Sequence, residues 1–201
     1  MMKYWILICS LAIFSACGGG AKEENSAATT AVPAQPKTVQ VGAATTASIN
    51  KMLSAYYQVK DALVEYDTSA ANQAAAALVV AADSVNIKEV TDSTLASTLQ
   101  NFSGSIASEA RALMLETDLG EKKRSFSMIS ENLYPLLQSV QYNETVIYHQ
   151  MCPMAFNDNE TAFWLSDNRE VVNPYLGKKH PKYASGMLHC GEVKDSLAYA
   201  K

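Results

Sequence analysis

The chain has 201 residues, 18% of them charged, and a formal net charge of −4. That length fits one domain plus a leader, at roughly 100 to 200 residues per domain, and it suffices to bury a core. The acidic balance offers no basic surface to offset phosphates, so nucleic acid is not expected as a partner.

The N-terminus reads MMKYWILICSLAIFSAC: one early positive charge at Lys3, an apolar run from Tyr4 to Phe14, then Ser15 and Ala16 before Cys17. This is the order of a secretory signal peptide over residues 1–16. The cysteine at the cleavage point resembles a bacterial lipobox, with Phe14 where leucine is commoner; an ordinary signal peptide with an incidental cysteine is the alternative. The expectation is a mature chain that starts at lipidated Cys17 and sits in the cell envelope. It is anchored to the outer membrane and faces the periplasm, or the cell surface. A spanning helix needs roughly 20 apolar residues, which neither this run nor any later segment reaches.

Residues 17–48 are rich in Ala, Thr, Gly and Pro and lack aromatic side chains. They cannot bury enough apolar surface to offset ordering entropy, so they read as a flexible tether. The folded domain is expected over residues 49–193. Ile49, Met52, Leu53, Tyr56, Leu63 and Tyr66 share one helical face, with Ser48 as N-cap. An alanine-dense second helix follows, with Thr68 or Ser69 as its cap. Leu95, Leu99, Phe102, Ile106, Leu113 and Met114 mark a third helix starting near Asp92 or Ser93, with Gly120 as its stop. A fourth runs from about Glu121 to Gln141, with Pro135 expected to kink or divide it. The predicted fold class is mainly α, an antiparallel four-helix bundle. A loop-rich C-terminal cap with short strands covers residues 142–193, and residues 194–201 form a fraying tail.

Of the 4 cysteines, Cys9 leaves with the signal peptide and Cys17 takes the lipid, which leaves Cys152 and Cys190 in the folded part. They lie in two clusters, YHQMCPMA from Tyr148 and GMLHCGEV from Gly186. Pro153 holds Cys152 in extended chain, where Cys152 and Met154 share a face and His149 reaches that face only if the backbone bends. In the second cluster Met187 and His189 share a face when extended, so His189 and Cys190 do not both serve one site unless Gly191 opens a turn. Cys152, Met154, Met187 and Cys190 make a soft sulfur set suited to Cu(I), with His149 or His189 able to replace a methionine; zinc rarely takes thioether. The alternative is a Cys152–Cys190 disulfide with the methionines as core filler, as an oxidising envelope favours.

The segments YYQVKDALVEYDTSAANQAAAAL, RSFSMISENLYPLL, YHQMCPMAFNDNETAFWLS, VVNPYLG and MLHCGEV resemble, in that order, a family of bacterial secreted domains of unknown function. That family occurs alone on lipoproteins and attached to the periplasmic adaptor subunits of heavy-metal efflux pumps. The resemblance implies a helical envelope domain associated with copper or similar metals. It places Cys152, Met154, Met187 and Cys190 on the recurring CPM and ML-x-CG positions, and His149 and His189 less firmly. An efflux pump or another envelope protein is the implied partner. KKHPKYAS, which contains His180, is an insertion between the two clusters.

No GxSxG elbow, HExxH helix or phosphate-cradling glycine loop occurs, so the protein is not expected to be an enzyme. Glu65, Asp67, Glu144 and Glu160 read as solvated surface, and Arg124 as a helix-surface pairing group.

Overall fold

A computed structural model describes Val39 and residues 41–199. The expected signal peptide, lipidated Cys17 and most of the expected tether lie outside these residues. Four helices come first: α1 (Ala43–Glu65), α2 (Thr68–Asp83), α3 (Ser93–Leu115) and α4 (Leu119–Ser139). Three strands follow, β1 (Ile147–Phe156), β2 (Glu160–Ser166) and β3 (Glu192–Leu197), in one antiparallel sheet of order β2-β1-β3. The fold is the expected mainly-α one, a four-helix array with a short-strand cap.

The helices follow their apolar period and their caps. Ile49, Met52, Tyr56, Val59 and Leu63 recur every three or four residues on α1 and are fully buried. Asp67, Asp92 and Asp118 each accept from a backbone N–H in the first turn that follows, and so fix where α2, α3 and α4 begin. Ala71, Ala74, Ala75 and Ala82 bury the small face of α2, which packs between α1 and α3. Short connections at 66–67 and 116–118 force antiparallel neighbours.

Several boundaries differ from the sequence-based expectation. α1 starts at Ala43, inside the expected tether, because the Glu89 carboxylate accepts from Ala44 N at 3.0 Å and serves the helix end from the α2–α3 connection. Ser48 is therefore an interior residue, and its hydroxyl donates to Thr45 O and accepts from Asn86 N. Asp67 rather than Thr68 or Ser69 caps α2. Gly120 does not stop α3, which ends at Leu115; it lies in the first turn of α4. α4 runs on through Pro135 undivided. Residues 194–197 are no tail either, since they pair with β1.

One side chain joins helices to sheet. Tyr56 of α1 is fully buried and stacks on Phe126 of α4, with centroids 5.0 Å apart. Its hydroxyl lies 2.7 Å from Ser130 Oγ and accepts from Leu165 N of β2 at 2.9 Å. Ser130 donates its own proton to Phe126 O, so the Tyr56 proton goes to Ser130. β2 is an edge strand, and its outward Leu165 amide is satisfied by a helix side chain rather than by water.

Tyr56→Phe leaves that buried amide without an acceptor. The expected loss is about 1–3 kcal/mol of unfolding free energy, read from urea denaturation; an unchanged midpoint contradicts the role given to this hydroxyl.

Candidate functional site

Alternation along β1 gives the sheet two different faces. Ile147, His149 and Met151 point to one, and Tyr148, Gln150 and Cys152 to the other, with β2 in continuous register from Tyr148↔Ser166 to Cys152↔Ala162. The first face meets the helices: the His149 ring stacks between Tyr134 of α4, at 4.0 Å, and Phe163, at 4.9 Å. The second is covered by residues 167–191. There Gln150 Nε2 donates to the carbonyls of Asn168, Arg169 and Glu170, and Trp164 meets Tyr175 edge-on.

Pro153 follows Cys152 where the register breaks and beyond the last β3 pairing at Met151, so its missing N–H costs the sheet no ladder bond. This irregularity also removes the strict alternation that sequence reasoning assumed between Cys152 and Met154.

The covering segment is held by the NPYLG turn. Asn173 is fully buried; its Oδ1 accepts from Tyr175 N and Leu176 N, and its Nδ2 donates to Cys190 O at 2.7 Å. Gly177, at φ +53°, lies where a Cβ would stand 2.5 Å from the Tyr66 ring, and Tyr66 donates to Leu176 O. Gly191, at φ +138°, passes so close over β1 that a Cβ would stand 2.5 Å from Met151 O. Both positions demand glycine twice over, for conformation and for space.

These contacts bring Cys190 to Cys152. The two sulfurs are 3.2 Å apart, both cysteines are free, Cys152 is fully buried and Cys190 partly so. Burial pushes the Cys190 thiol up to about 11, and the hydrogen bond and charge interaction with Cys152 push it the same way. It is a protonated thiol at neutral pH.

The other predicted ligands divide. Met154 and Met187 are partly buried against the same core, Met154 two residues beyond Cys152 and Met187 in the turn that closes on Cys190 N. His149 is on the opposite face of the sheet from Cys152, and burial lowers its pKa. His189 is exposed, with Nδ1 2.7 Å from Val171 O and 3.8 Å from Glu170. Neither imidazole joins the sulfurs. Among the described residues, no three His, Cys, Asp or Glu side chains form a group able to hold a metal ion.

Sequence reasoning missed Asn173 and a pair of buried lysines. Lys122 donates to Asn72 Oδ1 and Leu113 O, both at 2.7 Å, and Lys123 donates to Tyr175 O at 2.6 Å. Within EKKRS they look like a solvated charge run; only tertiary acceptors distinguish them.

The raised thiol pKa sets a pH dependence. Alkylation of reduced Cys190 by iodoacetamide is expected to rise with a midpoint near pH 11, later than a free cysteine at about 8.5. Cys152→Ser removes the partner thiol but not the burial, so the midpoint should fall only part of the way. A wild-type midpoint at the ordinary value contradicts the buried pair.

The family described as "Protein of unknown function (DUF3347)" matches residues 52–145. The matched span covers the helices from Met52 onward and ends before β1, so the sulfur-bearing cap lies beyond it. None of the curated proteins and none of the solved structures gives a significant match. Over its helices, then, this chain is similar to a domain family whose function is unknown.

Proposed function

We propose that this is a lipid-anchored envelope protein that binds a soft metal ion, Cu(I) before others, or passes it to an efflux-pump or envelope partner, without catalysis. The observation that carries this reading is the approach of Cys152 and Cys190 to 3.2 Å as free thiols. A disulfide needs about 2.05 Å. Two thiolates on one ion, with metal–sulfur bonds of about 2.3 Å at a tetrahedral angle, stand about 3.8 Å apart. The pair therefore opens by a few tenths of an ångström to admit an ion.

The donor set favours copper. Two thiolates with partly buried thioethers nearby are soft ligands, the type that selects Cu(I). Structural zinc takes four nitrogen or sulfur ligands from Cys and His, and the two cluster histidines lie elsewhere. Cys152 and Cys190 would supply the thiolates, and Met154 and Met187 the thioethers. Loading displaces the Cys190 proton, so affinity for the ion should rise with pH.

A second reading rests on the same distance: closure by about 1 Å gives a disulfide. It would close a loop with |i−j| of 38 and contribute about 3–4 kcal/mol in the loop-entropy treatment. The protein would then be an interaction module of the envelope with no metal. The two states exclude each other at any moment, and oxidation of the pair would release a bound ion.

Anaerobic competition of the reduced mature domain against a chromogenic Cu(I) chelator separates the readings. We expect one copper per chain, and affinity weakened at least about tenfold (~1.4 kcal/mol) in Cys152→Ser and Cys190→Ser. Met154→Leu and Met187→Leu should lose less. His149→Ala and His189→Ala should keep their copper. No uptake by the reduced wild type, together with no titratable thiol in the protein as isolated, would establish the disulfide module instead.

A further inference from the structure

A second site lies away from the cysteines. A cavity of about 420 Å³ opens between the first turns of α4, the end of β1 and the segment carrying His180. Lys123, Arg124, Phe156, Tyr66, Tyr175 and His180 are among the residues lining it. Lys123 is 5% exposed. Its Nζ donates to Tyr175 O and sits 3.8 Å from the centroid of the Tyr66 ring. No carboxylate pairs with it among the described residues, whereas Arg124 beside it engages Glu160 and Glu121.

We propose that the Lys123 amine is a covalent docking point for a small aldehyde or ketone entering this cavity, held as a reversible imine.

A buried ammonium without a counter-ion is costly, and the group meets that cost by giving up its proton. Burial accordingly lowers Lys123 from 10.5 to about 7, with Asp118 at the α4 N-cap opposing. The other groups facing it leave this unchanged: Glu121 lies on the rim with Arg124, Tyr66 and Tyr175 stay un-ionised because burial raises both phenols, and burial lowers His180. A desolvated neutral amine is the nucleophilic form of lysine. Its lone pair attacks the carbonyl carbon, and the C–N bond forms while one amine proton passes to the carbonyl oxygen. Loss of that oxygen as water then gives the imine, so amine plus carbonyl yields imine plus water with no redox change. The apolar ring of Phe156, with the Arg124 guanidinium 4.4 Å from its centroid, offers a surface for the body of the ligand.

Lys122 is the internal control. It is equally buried, and burial lowers its pKa too, yet two acceptors hold it and it does not line the cavity.

The test incubates the wild-type mature domain with limiting glyoxylate across pH 6 to 10, traps imines with borohydride and maps carboxymethylated lysines by mass spectrometry. Lys123 should label first, with a midpoint near pH 7, while exposed lysines label with the ordinary midpoint of about 10.4 and Lys122 stays unmodified. Lys123→Arg, checked for helicity, should remove the early label alone. An unlabelled Lys123, a Lys123 profile matching the exposed lysines, or equal labelling of Lys122 would each overturn the proposal.

Discussion

The hydroxyl of Tyr56 is the point at which helices and sheet become one structure. It belongs to α1, gives its proton to Ser130 of α4 and receives the amide of Leu165 on β2. A three-stranded sheet with an exposed edge is a weak unit alone. Here the β2 edge is closed from outside by a buried phenol whose burial raises its pKa and keeps it a donor. With β2 fixed against α4, the two faces of β1 acquire different neighbours, helices on one side and the 167–191 segment on the other.

The meeting of the thiols is a consequence of that division. A strand that faces helices on one side can present Cys152 only to the covering segment, and the covering segment is registered by Asn173, Gly177 and Gly191. Three features of its chain do this: a buried amide that holds the turn and Cys190 O together, and two backbone positions with no room for a side chain. The sulfurs approach each other because polypeptide geometry leaves Cys190 nowhere else to go. The same division removes His149 from the site, since its ring is committed to Tyr134 and Phe163.

Much of this was legible in the sequence, and the exceptions have physical causes. The apolar period of α1 and the Asp92 start of α3 were readable because period and cap are local. The start of α1 was not, because its N-terminal amide is served by Glu89, 45 positions away. Gly120 misled for the converse reason: a glycine near a helix boundary looks like a stop, but the reversal had already happened at 116–118. β3 was hidden in the polar EVKDSL, an edge strand whose one buried side chain is Leu197. The convergence of Cys152 and Cys190 was foreseeable from two sulfur clusters in a segment that needs a staple. His189 and Cys190 do part, but in a turn closed by Cys190 N on Met187 O rather than by the extended-chain alternation expected. Lys122 and Lys123 could not be recognised, because a buried lysine differs from a solvated one only by its acceptors.

A sulfur-only environment is the central requirement of the proposed Cu(I) site. X-ray absorption at the copper edge of the Cu(I)-loaded, reduced domain reads that shell directly. The proposed site predicts sulfur scatterers alone, at low coordination number, with no outer-shell scattering from imidazole. Imidazole in the shell would contradict it, for it would require His149 or His189 to leave its present partners and join the cysteines.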